Sequence, residues 1–331
     1  MIKVRIIAIA LCLLLSLSLA LAGLAESVSE QAEDTSWLNE IPAISDEELY
    51  SIEDYAITQG LLDEWVNILL LGSDVRDTMD YGNTDAIIVL SINLGTKRAK
   101  LTSFSRDIWV SMDGRTKSGK LNTACKLGGP ELTMQTLNDY FGLNLQYYAL
   151  INLSALAECI DQLGGLELDV TNEELLALNK GLFNLSPLSG MEMLKNSGKG
   201  VHLNGNQAVA YARIRNIDSE FQRTQRLRYV LLQIARRLQR ESAGTIVGIV
   251  MKLMQDVETN MDLTQLMTIA AAGMEINLDV VEQLRIPVDK TYEEGTYGGV
   301  WCVRINADLN RKLVQQFIYS VLPEITPKPA Q

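Results

Sequence analysis

The chain has 331 residues, 47% hydrophobic and 21% charged, enough for one large globular domain or at most two. Its net charge of −12 and pI near 4.7 repel nucleic-acid backbones. A general DNA or RNA binder is therefore excluded, and any anion site must be a local gathering of arginine.

Lys3 and Arg5 precede an apolar run from Ile6 to Ala22, which reads as a secretory signal or an uncleaved signal anchor over residues 1–23. Ala20-Leu21-Ala22 offers a small-residue cleavage site. No Lys or Arg falls between Arg5 and Arg76, so the N-terminus is expected inside and everything after it outside. Residues 24–64 are acidic and poor in aromatics, as a stalk would be, and the capping-box spacing of Ser45 and Glu48 predicts a short helix there. The globular part is expected over 65–322, with 323–331 as a tail.

Asn67–Leu71 reads as a buried strand running into Gly72. Ala86–Asn93 and Ala99–Phe104 follow as strands, with Gly95-Thr96 as the turn. Glu131–Phe141 is helical and stops at Gly142; Ser154–Leu163 is helical and closes on Gly164-Gly165. Leu166–Val170 alternates like a half-exposed strand. Gln207–Ala210 reads as a short helix, Tyr211–Arg215 as extended, and Gln222–Arg240 as a long amphipathic helix. A helix over Thr264–Ala272 has Asp262 as its N-cap; a strand over Leu284–Val288 and a helix over Ala307–Leu322 complete the chain. Strands mixed with helices throughout predict an α/β or α+β domain with helices covering a central sheet.

The absences prune the chemistry. His202 is the only histidine, which removes histidine triads and histidine metal clusters; it is expected to be structural. Neither a Walker loop nor a G-x-G-x-x-G turn occurs. Cys12 lies in the apolar segment; Cys125, Cys159 and Cys302 have no metal spacing and read as small buried hydrophobes, with one disulfide among them as the alternative.

Four polar clusters remain. Asp74 and Arg76 follow the first strand, and Asp85 stands at the entry of the second, so two carboxylates at adjacent strand ends can converge on a hard cation such as Mg²⁺. Ser105-Arg106-Asp107 ends the third strand, and Lys117 to Asn122 forms a basic polar loop containing Lys120. The strongest cluster is the last. On a strand, Arg213 and Arg215 point to one face; on a helix, Arg223 and Arg226 share one. Guanidinium groups grip phosphate oxygens in a bidentate way, so four of them predict a bound polyanion, with a salt-bridge network as the competing explanation. Arg228, Arg236, Arg237 and Arg240 are expected on the solvated face of the long helix. Together the clusters describe a pyrophosphate site, and the long apolar helices offer room for an apolar tail.

At this point the chain resembles the LytR–CpsA–Psr family of cell-wall glycopolymer ligases, from about Asn67 to about Tyr319. The resemblance rests on Asn67 through Arg76, Thr84-Asp85, Ser105-Arg106-Asp107 and Lys120-Leu121-Asn122. It continues through Gly128-Gly129-Pro130-Glu131, Leu163 to Leu166, Leu203 to Ala208, Tyr211 to Arg215, and Arg223 to Arg226. It implies a single extracytoplasmic α/β domain with a central mixed sheet covered by helices, and a cleft for a polyprenyl-pyrophosphate glycan. It implies transfer of a phosphoglycan to a muramic acid hydroxyl of peptidoglycan, with polyprenyl phosphate leaving. By match, Asp74 and Asp85 hold Mg²⁺ (or Mn²⁺), and Arg76, Arg106, Arg213, Arg215, Arg223 and Arg226 contact phosphates. Asp107 and Lys120 support the cleft. Asn83 stands where the family often has Arg, Ser105 where it has Pro, and Leu227 where it has Gln.

The expected activity is therefore a Mg²⁺-dependent phosphotransferase, membrane-held through the N-terminal segment or secreted if that is cut. Two alternatives share the site: a hydrolase of the same pyrophosphate, and a non-catalytic lipid-binding regulator of the envelope, which Asn83 and Leu227 favour.

Overall fold

The computed structural model describes residues 64–73, 81–112, 117–185, 192–214, 217–218, 220–242, 245, 257–297 and 299–319. The expected anchor, stalk helix and C-terminal tail lie outside the described residues, as do Asp74, Arg76 and Arg215. Among the described residues no helix is long and apolar enough to cross a membrane.

The first three strands are β1 (Trp65–Ser73), β2 (Thr84–Asn93) and β3 (Arg98–Phe104). Their apolar runs are buried on both faces, as central strands covered by helices must be. With β6 (Leu145–Asn152), β9 (Val257–Thr259) and β10 (Glu282–Ile286) they form a six-stranded sheet of order β10-β3-β2-β1-β6-β9. The sheet is mixed. β2 is antiparallel to β1 and β3, and β9 to β6; β6 is parallel to β1, and β10 to β3. β1, β3, β6 and β10 therefore all end at the same edge.

Alternating side chains of these strands feed two cores. Leu69, Leu71, Ile87 and Val89 pack under α1 (Thr123–Phe141) and α7 (Ala307–Tyr319). Ile68, Ile88 and Ile92 pack under α5 (Glu220–Gln239) and α6 (Leu263–Met274). This is the α/β/α arrangement. A third cluster joins α2 (Leu153–Gln162), α3 (Asn172–Leu185), α4 (Gly205–Ala212) and the hairpin β7–β8 (Leu166–Val170 and Gly198–Leu203). Two further hairpins stand apart from the main sheet: β4–β5 (Trp109–Met112 and Lys117–Lys120) and β11–β12 (Tyr292–Tyr297 and Val300–Ile305).

Local chemistry sets the element ends. α1 kinks at Gly128 and Gly129 ahead of Pro130 and stops at Gly142, whose φ of 63° suits glycine. Asp262 and Gln265 form a capping box at α6. Asn204 and Gln207 form another at α4. That second box corrects one expectation. Tyr211 to Arg215 does not run extended: Tyr211 and Ala212 are helical, and Arg213 is the helix C-cap.

α4 sits hard against α2. A Cβ on Gly205 would lie 1.9 Å from the Ala157 carbonyl oxygen, a backbone atom that cannot rotate away. Gly205→Ala is therefore expected to destabilise the fold by roughly 2–3 kcal/mol, the upper range of overpacking costs. Chemical denaturation checks it, and an unchanged midpoint would mean that the two helices separate freely.

The cysteines behave as expected: Cys125, Cys159 and Cys302 are buried and unpaired by disulfide. His202 lies on the exposed β7–β8 hairpin, bonded to Glu167 at 2.8 Å. One other expectation changes. Arg228 is not solvated but fully buried, donating to Ser103 Oγ and to Gln283 Oε1 at 2.7 Å. Burial, and to a smaller extent neighbouring Arg285, pushes its pKa down to about 10.

Candidate active site

The site forms where strand ends meet. In the β2–β3 pair Ile88 faces Ser103, and continuing that register brings Arg106 level with Asp85. In the β1–β2 pair Ser73 faces Thr84 across a bulge, so the end of β1 lies beside the entry of β2. Glycine is needed there, because a Cβ on Gly72 would lie 2.9 Å from that of Ala86. Carboxyl ends of strands are where open α/β sheets usually bind ligands.

Main-chain bonds lock the turns together. Asn122 N–H donates to the Arg106 carbonyl at 3.0 Å, and the Asn122 carbonyl accepts from Thr84 N–H at 3.1 Å. Leu121 N–H donates to the Ile108 carbonyl at 2.8 Å. The segment Lys120-Leu121-Asn122 thus ties the entry of β2 to the exit of β3. Rather than a free loop, Lys117 to Lys120 is the second strand of a hairpin, with Lys120 facing Trp109.

The side chains then interlock. Arg106 Nη1 donates to Asp85 Oδ1 at 2.5 Å, and Arg106 Nε to Asp107 Oδ2 at 3.3 Å. Lys120 Nζ donates to Asp107 Oδ1 at 2.9 Å. Arg213 Nη2 reaches Asp85 Oδ2 at 4.0 Å, and Arg223 Nη2 donates to the Asp85 carbonyl at 3.0 Å. Among the described residues Arg106, Lys120 and Arg213 thus meet the carboxylates of Asp85 and Asp107, and Arg223 reaches the Asp85 main chain. Arg106, Asp85, Lys120 and Arg213 are each between a fifth and a third exposed, so the cluster opens to solvent.

Arg226 is placed differently. Its guanidinium grips Asp218 with two bonds of 2.6 and 2.9 Å, donates to the Ile214 carbonyl at 3.1 Å and meets Glu174 at 3.4 Å. It is buried and ties Ile214 to Asp218 and Glu174. Arg223 and Arg226 lie three apart on α5 but serve different neighbours. Arg213 is a helix C-cap and not a strand residue, and Arg215, its expected partner, lies outside the described residues.

No three His, Cys, Asp or Glu side chains gather into a metal cage among the described residues. Asp85 does offer a hard oxygen. Thr84 Oγ1 and Asn122 Oδ1, on residues joined by a main-chain bond, are buried oxygens with no hydrogen-bond partner among the described residues. A carboxylate oxygen such as that of Asp85 suits Mg²⁺, which favours one or two carboxylates supplemented by substrate phosphates and water.

An apolar cavity of about 70 Å³ lies between the sheet and α5–α6, bounded by Leu70, Leu90, Leu101, Leu231, Ile269 and Ile276 among others. Leu90 is five residues beyond Asp85 on β2, about 17 Å at strand rise.

Fold and site define an α/β/α protein with a cluster of arginine, lysine and aspartate side chains at its strand ends. The chain belongs to the LytR_cpsA_psr family, which it matches over residues 35–313. It is 28% identical, over 70% of its length and 71% of the relative's, to the polyisoprenyl-teichoic acid–peptidoglycan teichoic acid transferase TagU of Bacillus licheniformis. Its fold is shared with B. subtilis TagV, with a TM-score of 0.62, 24% identity, and coverage of 78% of this chain and 99% of that one. It is also shared with YwtF (TagT) carrying octaprenyl pyrophosphate lipid, with a TM-score of 0.58, 21% identity, and coverage of 79% and 92%.

Proposed function

We propose that this protein transfers a phosphoglycan from a polyprenyl-pyrophosphate carrier to a peptidoglycan hydroxyl on the outer side of the membrane. The observation that carries the reading is the convergence of Arg106, Lys120, Arg213 and Arg223 on Asp85 and Asp107 at the strand ends. The Bacillus licheniformis relative bears the name of a polyisoprenyl-teichoic acid–peptidoglycan teichoic acid transferase, which supports this reading.

In this reading the guanidinium groups of Arg106, Arg213 and Arg223 take the pyrophosphate oxygens, as such forks bind phosphate elsewhere. Arg76 and Arg215 join them from segments adjacent in sequence. Arg226 contributes by holding the Ile214–Asp218 segment in place. The polyprenyl tail enters the apolar cavity behind β2. Asp85, with Asp74, holds Mg²⁺ or Mn²⁺, whose charge would offset that of the phosphates. The acceptor oxygen attacks the glycan-side phosphorus, the bond from that phosphorus to the bridging oxygen breaks, and polyprenyl phosphate leaves. The hydroxyl proton passes to a carboxylate of the cleft, for which Asp107 is the nearest to Lys120. Residues 1–23 hold the domain to the membrane.

The test uses the full chain with a lipid-linked phosphoglycan, with and without peptidoglycan. Polyprenyl phosphate should appear together with phosphodiester-linked glycan, and only when acceptor is present. Release at the same rate without acceptor identifies a hydrolase instead. Lipid binding without any product identifies a binding module.

A further inference from the structure

The β11–β12 hairpin is attached to the cleft itself. Val303 N–H donates to the Asp107 carbonyl at 2.9 Å, and Ile108 bridges to Val303 in parallel. The hairpin is thus set in register with the Arg106-Asp107 turn. In its ladder Glu294 faces Val303, Thr296 faces Trp301 and Tyr292 faces Ile305. Cross-strand partners share a face and residues two apart return to it, so Tyr292, Glu294, Trp301 and Val303 all project to one side.

That side walls a pocket of about 280 Å³, completed by Asp107, Arg285 and Asp289 among others. The volume is at the small end of ligand pockets, which run about 300–1,000 Å³, and suits a single sugar ring. Its charge argues against a second phosphate. Asp107 is matched by Arg106 and Lys120 and Asp289 by Arg285, which leaves Glu294 as a lining carboxylate with no ion pair among the described residues. Carboxylates accept hydrogen bonds, so they favour a neutral ligand rich in hydroxyl and amide donors.

Trp301 supplies the remaining element. It is 45% exposed, unusual for a large aromatic that is not in a core, and stands at the pocket rim. Lys120 Nζ packs over its ring at 5.6 Å, so the ring is aligned with the phosphate cluster. An indole face carries partial negative charge, which attracts the partly positive C–H groups of a pyranose ring laid against it.

We propose that this pocket is the acceptor subsite, taking an amino-sugar residue of a peptidoglycan strand with Trp301 as the stacking platform. The inference rests on the transferase reading above and deepens it. Because Asp107 belongs to both the pocket wall and the cation cluster, a sugar seated there brings its hydroxyl to the phosphate side of the cleft.

The experiment measures two ligands separately on the full chain in detergent, by calorimetry: octaprenyl pyrophosphate, and a soluble tetrasaccharide of alternating N-acetylglucosamine and N-acetylmuramic acid whose lactyl carboxyls are capped as amides. Trp301→Ala should weaken tetrasaccharide binding about tenfold, the effect of one stacked aromatic. Trp301→Phe should keep most of the affinity, and Phe183→Ala, an exposed aromatic on α3, should change nothing. Octaprenyl pyrophosphate affinity should stay within about twofold in all three, since none supplies a phosphate ligand. Full tetrasaccharide affinity in Trp301→Ala would overturn the subsite, as would no binding by the parent chain. A parallel loss of both ligands would also overturn it, because Trp301 would then act only through Lys120. Failure of the parent chain to bind octaprenyl pyrophosphate would instead refute the transferase reading, while the tetrasaccharide result still decides the subsite.

Discussion

Asp85→Asn is expected to lower Mg²⁺-dependent transfer more than tenfold, which corresponds to about 1.4 kcal/mol or more of lost barrier lowering. The substitution keeps the size and both polar positions but removes the charge. Two consequences are expected. In the proposed reading a hard divalent cation would lose an anionic ligand. Arg106 Nη1, 2.5 Å from the carboxylate, and Arg213, 4.0 Å from it, lose the charge that orients them. A Mg²⁺ titration separates the two. If Asp85 binds the metal, the Mg²⁺ concentration for half-maximal rate rises in the variant. If it only orients Arg106, the rate falls at every Mg²⁺ concentration and the midpoint stays. Unchanged turnover at matched Mg²⁺ would remove Asp85 from the machinery altogether.

The sheet was legible where burial alone writes the pattern. β1, β2 and β3 are continuous apolar runs because both faces are covered, and their expected positions agree with the structure to within a few residues. The long helix α5 and the capped helix α6 were legible for the same kind of reason. Elements off the main sheet were not. β8 reads Gly-Lys-Gly-Val-His-Leu and is mostly exposed, so it carries no apolar alternation. β11 contains Glu293, Glu294 and Gly295 and pairs only with its hairpin partner. α3 leaves Leu176 and Phe183 exposed, which blurs its apolar face.

The site was legible as a set of residues and less so as a geometry. Arg106, Asp107 and Asp85 were marked by their place at strand ends and Lys120 by its basic polar loop, and the structure brings these four together. The alternation in Tyr211 to Arg215 imitates a strand, but the helix begun by the capping box at Asn204 carries through Ala212 and overrides it. Arg228 was misplaced because a charged residue on an amphipathic helix usually faces water. Here Ser103 and Gln283 supply buried acceptors that no local pattern reveals. Trp301 escaped notice for the opposite reason: a lone tryptophan in a strand looks like core.

Arg213→Ala is expected to weaken binding of the lipid pyrophosphate by about ten- to a hundredfold, as charge-assisted contacts contribute on the order of 1.5–3 kcal/mol. Arg213→Lys keeps the charge but loses the planar fork, so it should fall between the parent and the alanine variant. Arg226→Ala should behave in the opposite way. Its guanidinium is buried and bonded to Asp218 and Ile214, with Glu174 alongside, so removing it leaves carboxylates unpaired and costs about 3–5 kcal/mol of stability. Arg237→Ala is the control. That residue is nearly half exposed on the far part of α5, bonded to the Leu163 carbonyl and paired with Glu241. Melting and lipid binding measured on the same variants distinguish a ligand from a brace. Arg213 should change affinity with little change in melting. Arg226 should change melting strongly, with affinity per folded molecule falling only as far as the Ile214–Asp218 segment shifts. If Arg213→Ala and Arg237→Ala bind the lipid equally well, Arg213 belongs to a salt-bridge network and the pyrophosphate is held elsewhere.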